Sequence, residues 1–563
     1  MNRSVIAIGL DAANPELLQR WMKRGLLPHI SRMRDKGAFG TLSSCIKHNR
    51  SETVWSMFLT GCLANKLGYW TPVRYDSNSY SCEAPGYDGG AYAFDKYKPF
   101  YANLGPEFPV AIFDQPQTCL LDEREIHGVQ VLGWGSHARM TPIASTPSQL
   151  LKELVQRHGE NPLLDRDSFA ACSAEDEARY YKGLYEGISR KTDITLDLMQ
   201  RKRWSLLLTI FAEGHSAQHN LWHRSQPHTL NRGVEAPPAD DPMLKAFQAI
   251  DDAIGRILEA ASPDTTVILF AVHGTKSNSA DLGNTFLAEM MFRWNFAGQY
   301  GLGPGKPDGL PLPAPRTATE TAWHSEVWDT RYEPKRAKYF ARTRIPKRHY
   351  WKLRLERLTG RATPPSLPLD HKTALRWLPP TWYQKHWPQM KAFALPSYSD
   401  GYIRVNLKGR ESHGVVEPAD YNRVLDEITD MLWAIRDGRK CERLIKEIIR
   451  TRTGPEQDGP EYPEADLAIL FEEQDCPADV VDHPIHGRVG PLPFYRTGGH
   501  YSTGFLCASG PSIQAGGSVV GDVLDITPTL LSLMGAPIPE YMDGKPLHID
   551  LRQSTSATSD AAE

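Results

Sequence analysis

Two histidines one helical turn apart form the clearest metal-binding pattern in this sequence. His215 and His219 follow directly after an apolar run, residues 204–211, that is typical of a buried strand. Side chains four residues apart lie on the same face of a helix, so both imidazoles would point the same way. Imidazole is a preferred ligand of zinc and other borderline divalent metals. Taken alone, the two histidines are equally well explained as the polar face of an amphipathic helix that also carries His223.

Other residues able to bind a metal or attack a substrate occur next to predicted strands and helices. Asp11 ends the first apolar run, where its carboxylate suits either a metal or the cap of the next helix. Ser51 and Thr53 lie where a hydroxyl opens a helix, and the positive end of a helix favours an anion. On its own, this second segment is better explained as a serine N-cap without chemistry.

Two further histidines and a glutamate complete the set. His273 directly follows one strand-like run, and His500 precedes another. Glu213 lies two residues before His215, where it could anchor an imidazole or carry a proton. Open α/β sheets place their ligands at the carboxyl ends of the strands, so these scattered segments predict one shared site.

The composition is that of a large globular chain. Its 563 residues are 40% hydrophobic, enough for one large core with an insertion or for several ordinary domains. With 64 basic and 67 acidic residues the net charge is only −3, so a nucleic-acid polymer is not an expected partner. Eight cysteines without a CxxC pair predict reduced thiols, and the first apolar run is too short for a secretory signal or a membrane span. We therefore expect a cytoplasmic location.

Apolar runs alternate with amphipathic stretches along most of the chain, which predicts a mostly parallel sheet covered by helices on both faces. The predicted strands are 5–10, 109–113, 205–211, 266–272 and 504–508. The predicted helices include 15–23, 180–201, 243–261 and 420–436.

A basic, aromatic stretch at 295–390 breaks this rhythm. It could hold an anionic substrate or a membrane surface, but it is better explained as an arm that packs on its own core. We therefore predict a first core part at 1–294, a cap or insertion at 295–390, a second core part at 391–552 and a disordered tail at 553–563.

Taken in order, these segments resemble the alkaline phosphatase superfamily, and within it the branch of type I phosphodiesterases, nucleotide pyrophosphatases and phosphohydrolase/phosphomutases. The resemblance spans nearly the whole chain and implies a three-layer α/β/α sandwich with a mostly parallel central sheet and an inserted cap. The segments that carry it are Asp11, Phe58-Leu59-Thr60-Gly61, Glu213 to His219, His273-Gly274, His500, 400–411, 525–531 and 542–547.

The resemblance also implies a chemistry. Its members hold a phosphate on two metals, and a Ser or Thr nucleophile forms a phospho-enzyme intermediate. Counted back from Gly61, the nucleophile position falls on Ser51, with Thr53 as the alternative. The implied ligands of one metal are Asp11, Ser51 and His273, and those of the other are His215, His219 and His500.

Two residues depart from the family pattern. Val272 precedes His273 where the family usually has an aspartate, and His215 also replaces an aspartate. Three imidazoles with an open fourth position suit zinc, with Mn²⁺ or iron as alternatives. We expect one firmly held metal and a second that is loose, recruited by the substrate or absent. Arg50 or Lys276 would then supply the missing positive charge, although both are equally well explained as surface residues.

The expected activity is metal-dependent hydrolysis or transfer of a phosphoester of a small metabolite. One alternative is a hydrolase of another tetrahedral anion, a sulfate ester or a phosphonate. No Cys-x-Pro-x-Arg motif surrounds Ser51, so the formylglycine mechanism of sulfatases is not expected. The other alternative is a degenerate member that binds a metal or a phosphorylated ligand without turnover. The sequence gives no prediction of oligomeric state.

Overall fold

A ten-stranded, mostly parallel sheet lies at the centre of the computed structural model. Strands β19, β21 and β7 run antiparallel to their neighbours, and the other seven run in one direction. In spatial order the strands are β21 (His548–Ile549), β20 (Gly517–Val520), β2 (Ala38–Leu42), β19 (Gly504–Ser509), β9 (Thr266–Ala271), β1 (Val5–Leu10), β8 (Leu206–Phe211), β5 (Val110–Phe113), β6 (Gly128–Leu132) and β7 (Ala144–Thr146).

The structure describes most of the chain. The described residues are 3–48, 52–84, 92–135, 141–163, 174–302, 323, 327, 375 and 377–551. Two predicted site residues, Arg50 and Ser51, lie outside them, as do the tail 553–563 and most of the stretch 295–390.

Helices cover both faces of the sheet. The layers follow from the alternation of buried side chains: Ile6 and Ile8 of β1 belong to one hydrophobic cluster, and Val5 and Ala7 belong to the other. The first face is covered by α1 (Pro15–Lys23), α2 (Pro28–Asp35), α5 (Leu150–His158), α6 (Ala174–Arg201), α7 (Glu213–Ser225) and α8 (Pro242–Ala260). The second face is covered by α3 (Glu52–Thr60) and α11 (Ile526–Met534), with the short α4 (Ala64–Leu67) beside α3. The predicted three-layer α/β/α sandwich is confirmed.

A second hydrophobic unit, centred on residues 377–498, lies beside the central sheet. Its four-stranded antiparallel sheet runs in the order β11 (Ala392–Leu395), β12 (Gly401–Val405), β15 (Leu467–Phe471) and β14 (Ile445–Arg450). Helices α9 (Ala280–Asn295) and α10 (Tyr421–Trp433) pack into the same cluster. Its remaining strands are β13 (Arg436–Asp437), β16 (Val481–His483) and β17 (Gly487–Val489).

The chain returns to the central sheet only with β19, so most of the predicted second core part, 391–552, lies outside that sheet. Described residues of the stretch 295–390 pack in the second hydrophobic unit as well, among them Trp323, Val327, Leu375 and Trp377. The indole of Trp323 donates a hydrogen bond to the carbonyl of Pro493 at 2.7 Å. The domain boundaries at 294/295 and 390/391 stay predictions.

Short elements complete the described fold. Two small two-stranded sheets pair β10 (Gly274–Ser277) with β18 (Gly498–Tyr501) and β3 (Arg74–Asp76) with β4 (Ser81–Glu83). The 3-10 helices are Phe100–Asn103, Thr229–Asn231, Pro238–Asp240, Pro379–Gln389, Pro418–Asp420 and Val523–Asp525. Among the described helices, none combines the length and the apolar character needed to cross a bilayer.

Candidate metal centre

The predicted site segments meet at one edge of the central sheet. The neighbouring strands β9, β1 and β8 are parallel, so the residues after them, His273, Asp11 and the start of α7, emerge at the same edge. Strand β19 is antiparallel to β9, with Phe505 opposite Ala271, which brings its beginning to this edge too. The preceding strand, β18, carries His500 and pairs with β10 directly after His273.

The imidazoles of His215, His219 and His500 converge on one point. Their Nε2 atoms are separated by 2.9 Å (His215 to His500), 3.0 Å (His215 to His219) and 3.2 Å (His219 to His500). Nitrogens placed tetrahedrally around zinc would lie about 3.3 Å apart, because Zn–N bonds are about 2.0–2.1 Å long. His215 and His219 are buried and His500 is half-buried. The two helix histidines therefore do not form a solvent-exposed polar face of α7, which was the alternative considered from the sequence.

The protonation of His219 is fixed by its second ring nitrogen. Nδ1 lies 2.5 Å from the carbonyl oxygen of Gly498. A carbonyl only accepts hydrogen bonds, so Nδ1 carries a proton, and Nε2 is the nitrogen that can present a lone pair to a metal. Metal-binding histidines usually have this kind of support, which orients the ring and raises its basicity. The three Nε2 atoms lie close to the separations that one divalent cation bound to all of them would require. The residues therefore fit a metal.

Gly498 also permits the close approach of β18 to α7. A Cβ atom at this position would lie 2.3 Å from the carbonyl oxygen of Gln218. Any larger residue would separate the strand that carries His500 from the helix that carries His219. The sequence offers Gly498 only as part of Gly-Gly-His, with no hint of its partner.

Asp11 and His273 lie beside the three-histidine cluster. The Nε2 atom of His273 is 3.9 Å from Asp11 Oδ1, and its ring centre is 4.9 Å from that of His500. His215, His273 and His500 offer ligand atoms that all lie within 4.8 Å of one another. Asp11 and His273, the described members of one implied ligand set, therefore lie next to the three histidines of the other.

Asp11 is not the cap of the following helix. Asn14 has that role, since its side-chain oxygen accepts from the backbone N–H of Leu17 at 2.8 Å. The indole of Trp55 in α3 donates to Asp11 Oδ1 at 3.3 Å. Val272 is buried in the apolar cluster on the α3 face of the sheet.

Gln218 locks the loop after β1 in place. Its amide nitrogen donates to the carbonyl of Ala12 at 2.9 Å, and its amide oxygen accepts from the backbone N–H of Asn14 at 3.3 Å. The hydroxyl of Thr275 donates to the same Ala12 carbonyl at 2.9 Å. Sequence reasoning missed this contribution; the available signal was a polar residue between His215 and His219.

Thr53 lies in α3 with its hydroxyl already engaged. The hydroxyl donates to the backbone carbonyl of Trp70 at 2.7 Å, and the side chain is buried. The far end of α3 is held by two downstream segments of the family resemblance. The N–H groups of Asp543 and Gly544 donate to the carbonyl of Gly61 at 2.8 and 3.2 Å, and the hydroxyl of Thr527 donates to the carbonyl of Phe58.

Glu213 and Lys276 make their described contacts away from the histidines. Glu213 Oε1 accepts from the side chain of Asn161 at 3.3 Å and lies 3.5 Å from the ammonium of Lys191. Burial raises the pKa of the Glu213 carboxyl, and the charge of Lys191 offsets part of that rise. The Lys276 ammonium lies 3.7 Å from Glu473 Oε2 and 3.9 Å from the ring centre of Tyr501.

With this geometry established, comparison with known proteins identifies the family. The sequence profile described as "Type I phosphodiesterase / nucleotide pyrophosphatase" matches residues 5–301, more than half of the chain. The chain belongs to this family. The type I phosphodiesterase profile spans β1 to α9 and so includes Asp11, α3, α7 and His273. The family consists of phosphoester hydrolases that depend on metal ions, and this chain is such an enzyme.

Solved structures of similar fold have low sequence identity to this phosphodiesterase-family chain. Phosphonoacetate hydrolase from Sinorhizobium meliloti 1021, in complex with phosphonoformate, is 12% identical, with 95% of this chain and 96% of that chain covered and a TM-score of 0.47. A mutant of the alkaline phosphatase PafA is also 12% identical, with 97% and 98% covered and a TM-score of 0.47. Inactive murine ectonucleotide pyrophosphatase/phosphodiesterase 5, in complex with AMP, is 10% identical, with 95% and 96% covered and a TM-score of 0.42. No curated protein matches the chain in sequence.

Proposed function

We propose that this chain hydrolyses phosphoesters of small metabolites with one firmly held divalent metal, zinc in the first place, on His215, His219 and His500. The observation that carries the proposal is the convergence of three Nε2 atoms within 3.2 Å. Three protein ligands leave the fourth tetrahedral position for a substrate oxygen or a water, which is the arrangement of catalytic rather than structural zinc sites.

A divalent metal bound there would polarise the phosphoryl oxygens and stabilise negative charge in the transition state. All three ligands are neutral imidazoles, so the site keeps the full positive charge that carboxylate ligands would partly cancel. This neutral set favours an anionic substrate. It also compensates for positive charge that a second metal would supply, since Val272 offers that metal no carboxylate ligand. Asp11, Ser51 and His273 form the weaker second ligand set in this proposal.

Ser51 is the proposed nucleophile. It precedes the first residue of α3, where the positive end of the helix stabilises a nearby anion. Thr53 is less suitable, because its hydroxyl proton is engaged by the carbonyl of Trp70. Asp11 accepts the indole N–H of Trp55, so the first turns of α3 are held beside the loop after β1.

The test is a matched pair of substitutions assayed on aryl phosphate monoesters and diesters, with and without added zinc. Ser51→Ala should lower kcat by about 10³-fold or more, because removal of a nucleophile eliminates the covalent step. Thr53→Ala removes one hydrogen bond and should leave most of the activity. Full metal-dependent turnover in Ser51→Ala, or a loss in Thr53→Ala alone, would refute the assignment.

The substrate panel should also include a sulfate ester and a phosphonate, the other tetrahedral anions considered from the sequence. Turnover of either in preference to the phosphate esters would refute the proposed substrate class.

The proposal includes a cytoplasmic location and a small phosphorylated metabolite as the partner. The seven described cysteines are free thiols, the state that a reducing compartment maintains. Cys45 and Cys441 are exposed among them, so fractionation combined with thiol labelling of intact cells would test the location.

A further inference from the structure

A fully buried lysine joins three elements at the edge of the sheet where the histidines lie. The ammonium of Lys191, in α6, donates to Asp114 Oδ2 at 2.7 Å and to the backbone carbonyl of Ile210 at 2.7 Å. It also lies 3.5 Å from Glu213 Oε1. An ammonium has three N–H donors, and these three acceptors account for all of them.

Each partner of Lys191 belongs to a different part of the site scaffold. Asp114 directly follows β5, Ile210 lies near the end of β8, and Glu213 is the first residue of α7. Asp114 is itself held, since both of its oxygens accept from the backbone N–H of Gly135, at 2.9 and 3.1 Å. Lys191 therefore ties the beginning of α7 to the ends of two sheet strands.

The ion pair between Lys191 and Asp114 is buried, which restricts the geometries it can adopt. The side chains of Lys191 and Asp114 are fully shielded from solvent, and the ammonium lies within 6.0 Å of the ring centres of Phe113, Trp134 and Phe211. Burial alone would lower the pKa of the Lys191 ammonium, but the charges of Asp114 and Glu213 raise it above its ordinary value. A buried ion pair adds little net stability, yet removing one partner is costly and the permitted geometries are few.

Helix α6 also contacts α7 at a second position, further along α7 than Glu213. The hydroxyl of Tyr180 donates to the carbonyl of Ser216 at 2.8 Å and accepts from the side chain of Asn220 at 2.9 Å. Along α7, His215 lies between Glu213 and Ser216, and His219 lies between Ser216 and Asn220. Rotation or sliding of α7 would therefore break contacts at both positions.

We propose that Lys191 is a positioning residue for the metal centre: it fixes the beginning of α7 so that His215 and His219 face His500. The inference rests on the proposed metal site. Nothing in the family pattern of aspartates, histidines and hydroxyls assigns a role to this lysine. Because the three Nε2 atoms are within 3.2 Å of one another, a displacement of α7 by about 1 Å would leave the site too loose to bind tightly.

The test compares Lys191→Met with Arg293→Met, which removes the cation from another buried pair. Arg293 Nε donates to Glu289 Oε1 at 2.6 Å in α9, and its other hydrogen bonds are to carbonyls in and near the second hydrophobic unit. Both variants should lower the melting temperature of the metal-free protein. Only Lys191→Met should weaken Co²⁺ binding, by about 10–100-fold, and change the visible absorption spectrum of the Co²⁺-loaded protein.

Different results would contradict the role of Lys191 and the proposed metal centre. Unchanged Co²⁺ affinity and spectrum in Lys191→Met would overturn the positioning role while leaving the metal site intact. If the unsubstituted protein bound no Co²⁺, or if His219→Ala bound it equally well, the proposed metal centre would fail and the role of Lys191 with it. If Lys191→Met does not fold, the double variant Lys191→Met/Asp114→Asn is used instead, because it also removes the charge of the carboxylate closest to the lost ammonium. Its Co²⁺ affinity and spectrum are then compared with those of Arg293→Met.

Discussion

At the residue scale, the proposed centre depends on hydrogen bonds behind the ligands as much as on the ligands themselves. The carbonyl of Gly498 decides which nitrogen of His219 faces the cluster, and Gln218 fixes the loop that carries Asp11. His215 replaces the aspartate of the family pattern, which changes the charge of the ligand set from anionic to neutral. In the proposed centre, the neutral ligand set favours binding of an anionic substrate.

Gly498→Ala tests the support behind His219. The added methyl group would meet the Gln218 carbonyl at 2.3 Å, so β18 must move away from α7 and the hydrogen bond to His219 Nδ1 must lengthen. We expect zinc affinity to fall about 10-fold or more, as is typical when the support of a metal ligand is lost. Competition with a chromophoric chelator measures it. Wild-type affinity in this variant would mean that the carbonyl is not part of the site.

The histidines are the part of the site that sequence patterns predict. Their i,i+4 spacing and their positions beside buried runs point to one edge of an α/β sheet, where the structure indeed brings His215, His219 and His500 together. Gln218, Gly498 and Lys191 were not predicted, because each acts on a partner that folding alone brings near. The Gln218 bond to Ala12 spans 206 residues, and the His219 bond to Gly498 spans 279.

At the scale of elements, α3 must be held at both ends if it is to present Ser51. Its beginning is tied to Asp11 through Trp55, and its end is closed by Gly61, which accepts backbone hydrogen bonds from the 542–544 segment. Gly61 has a φ of 69°, a left-handed conformation that favours glycine. A Cβ there would also lie 2.7 Å from the side chain of Met542.

Gly61→Ala and Gly25→Ala form a matched pair that isolates this contact. Gly25 has a φ of 71°, and its added methyl would meet nothing within 4 Å, so both variants carry the same backbone strain of about 1 kcal/mol. Gly61→Ala should lose about 1 kcal/mol more because of the clash with Met542. Only Gly61→Ala should also lower kcat. Urea unfolding measures the first effect, and equal losses in the two variants would exclude a role for the Met542 contact.

Strand prediction succeeded where burial is continuous. All five predicted strands of the central sheet are present with ends within one residue of the prediction, because uninterrupted apolar runs are typical of strands that are covered on both faces. Strands β10 and β18 were not predicted. They are short, rich in glycine and polar residues, and defined by a partner more than 200 residues away. The antiparallel strands β11, β12, β14 and β15 were also not predicted.

At the scale of the whole molecule, a buried charge network stabilises the second hydrophobic unit. The carboxylate of Asp466 accepts two hydrogen bonds from Arg410, both at 2.7 Å, and lies 3.3 Å from Arg452. Burial alone would raise the pKa of this carboxyl, but the hydrogen bonds and charges of Arg410, Arg404 and Arg452 lower it to about 2. The segment 400–411 of the family resemblance thus contributes scaffold through Arg404 and Arg410.

Asp466 should make the protein sensitive to acid. Its pKa is about 2 in the folded chain and 3.8 in the reference state. The stabilisation, about 2 kcal/mol, is therefore fully present above pH 4 and is lost as the pH falls towards 2. Asp466→Asn should lower the melting temperature at pH 7, and the difference from wild type should shrink between pH 4 and pH 3. Asp264→Asn, which breaks an exposed pair with Arg203, is the control and should change little at either pH.

The most direct test of the account is the metal content per chain, measured by elemental analysis of protein purified without added metal, alongside His215→Ala. The three-histidine centre predicts about one zinc per chain in the unsubstituted protein and close to none in the variant. Two metals per chain would mean that another ligand compensates for Val272 and that the single-metal account is wrong. A metal content that His215→Ala leaves unchanged, or no metal at all, would contradict the proposed centre itself.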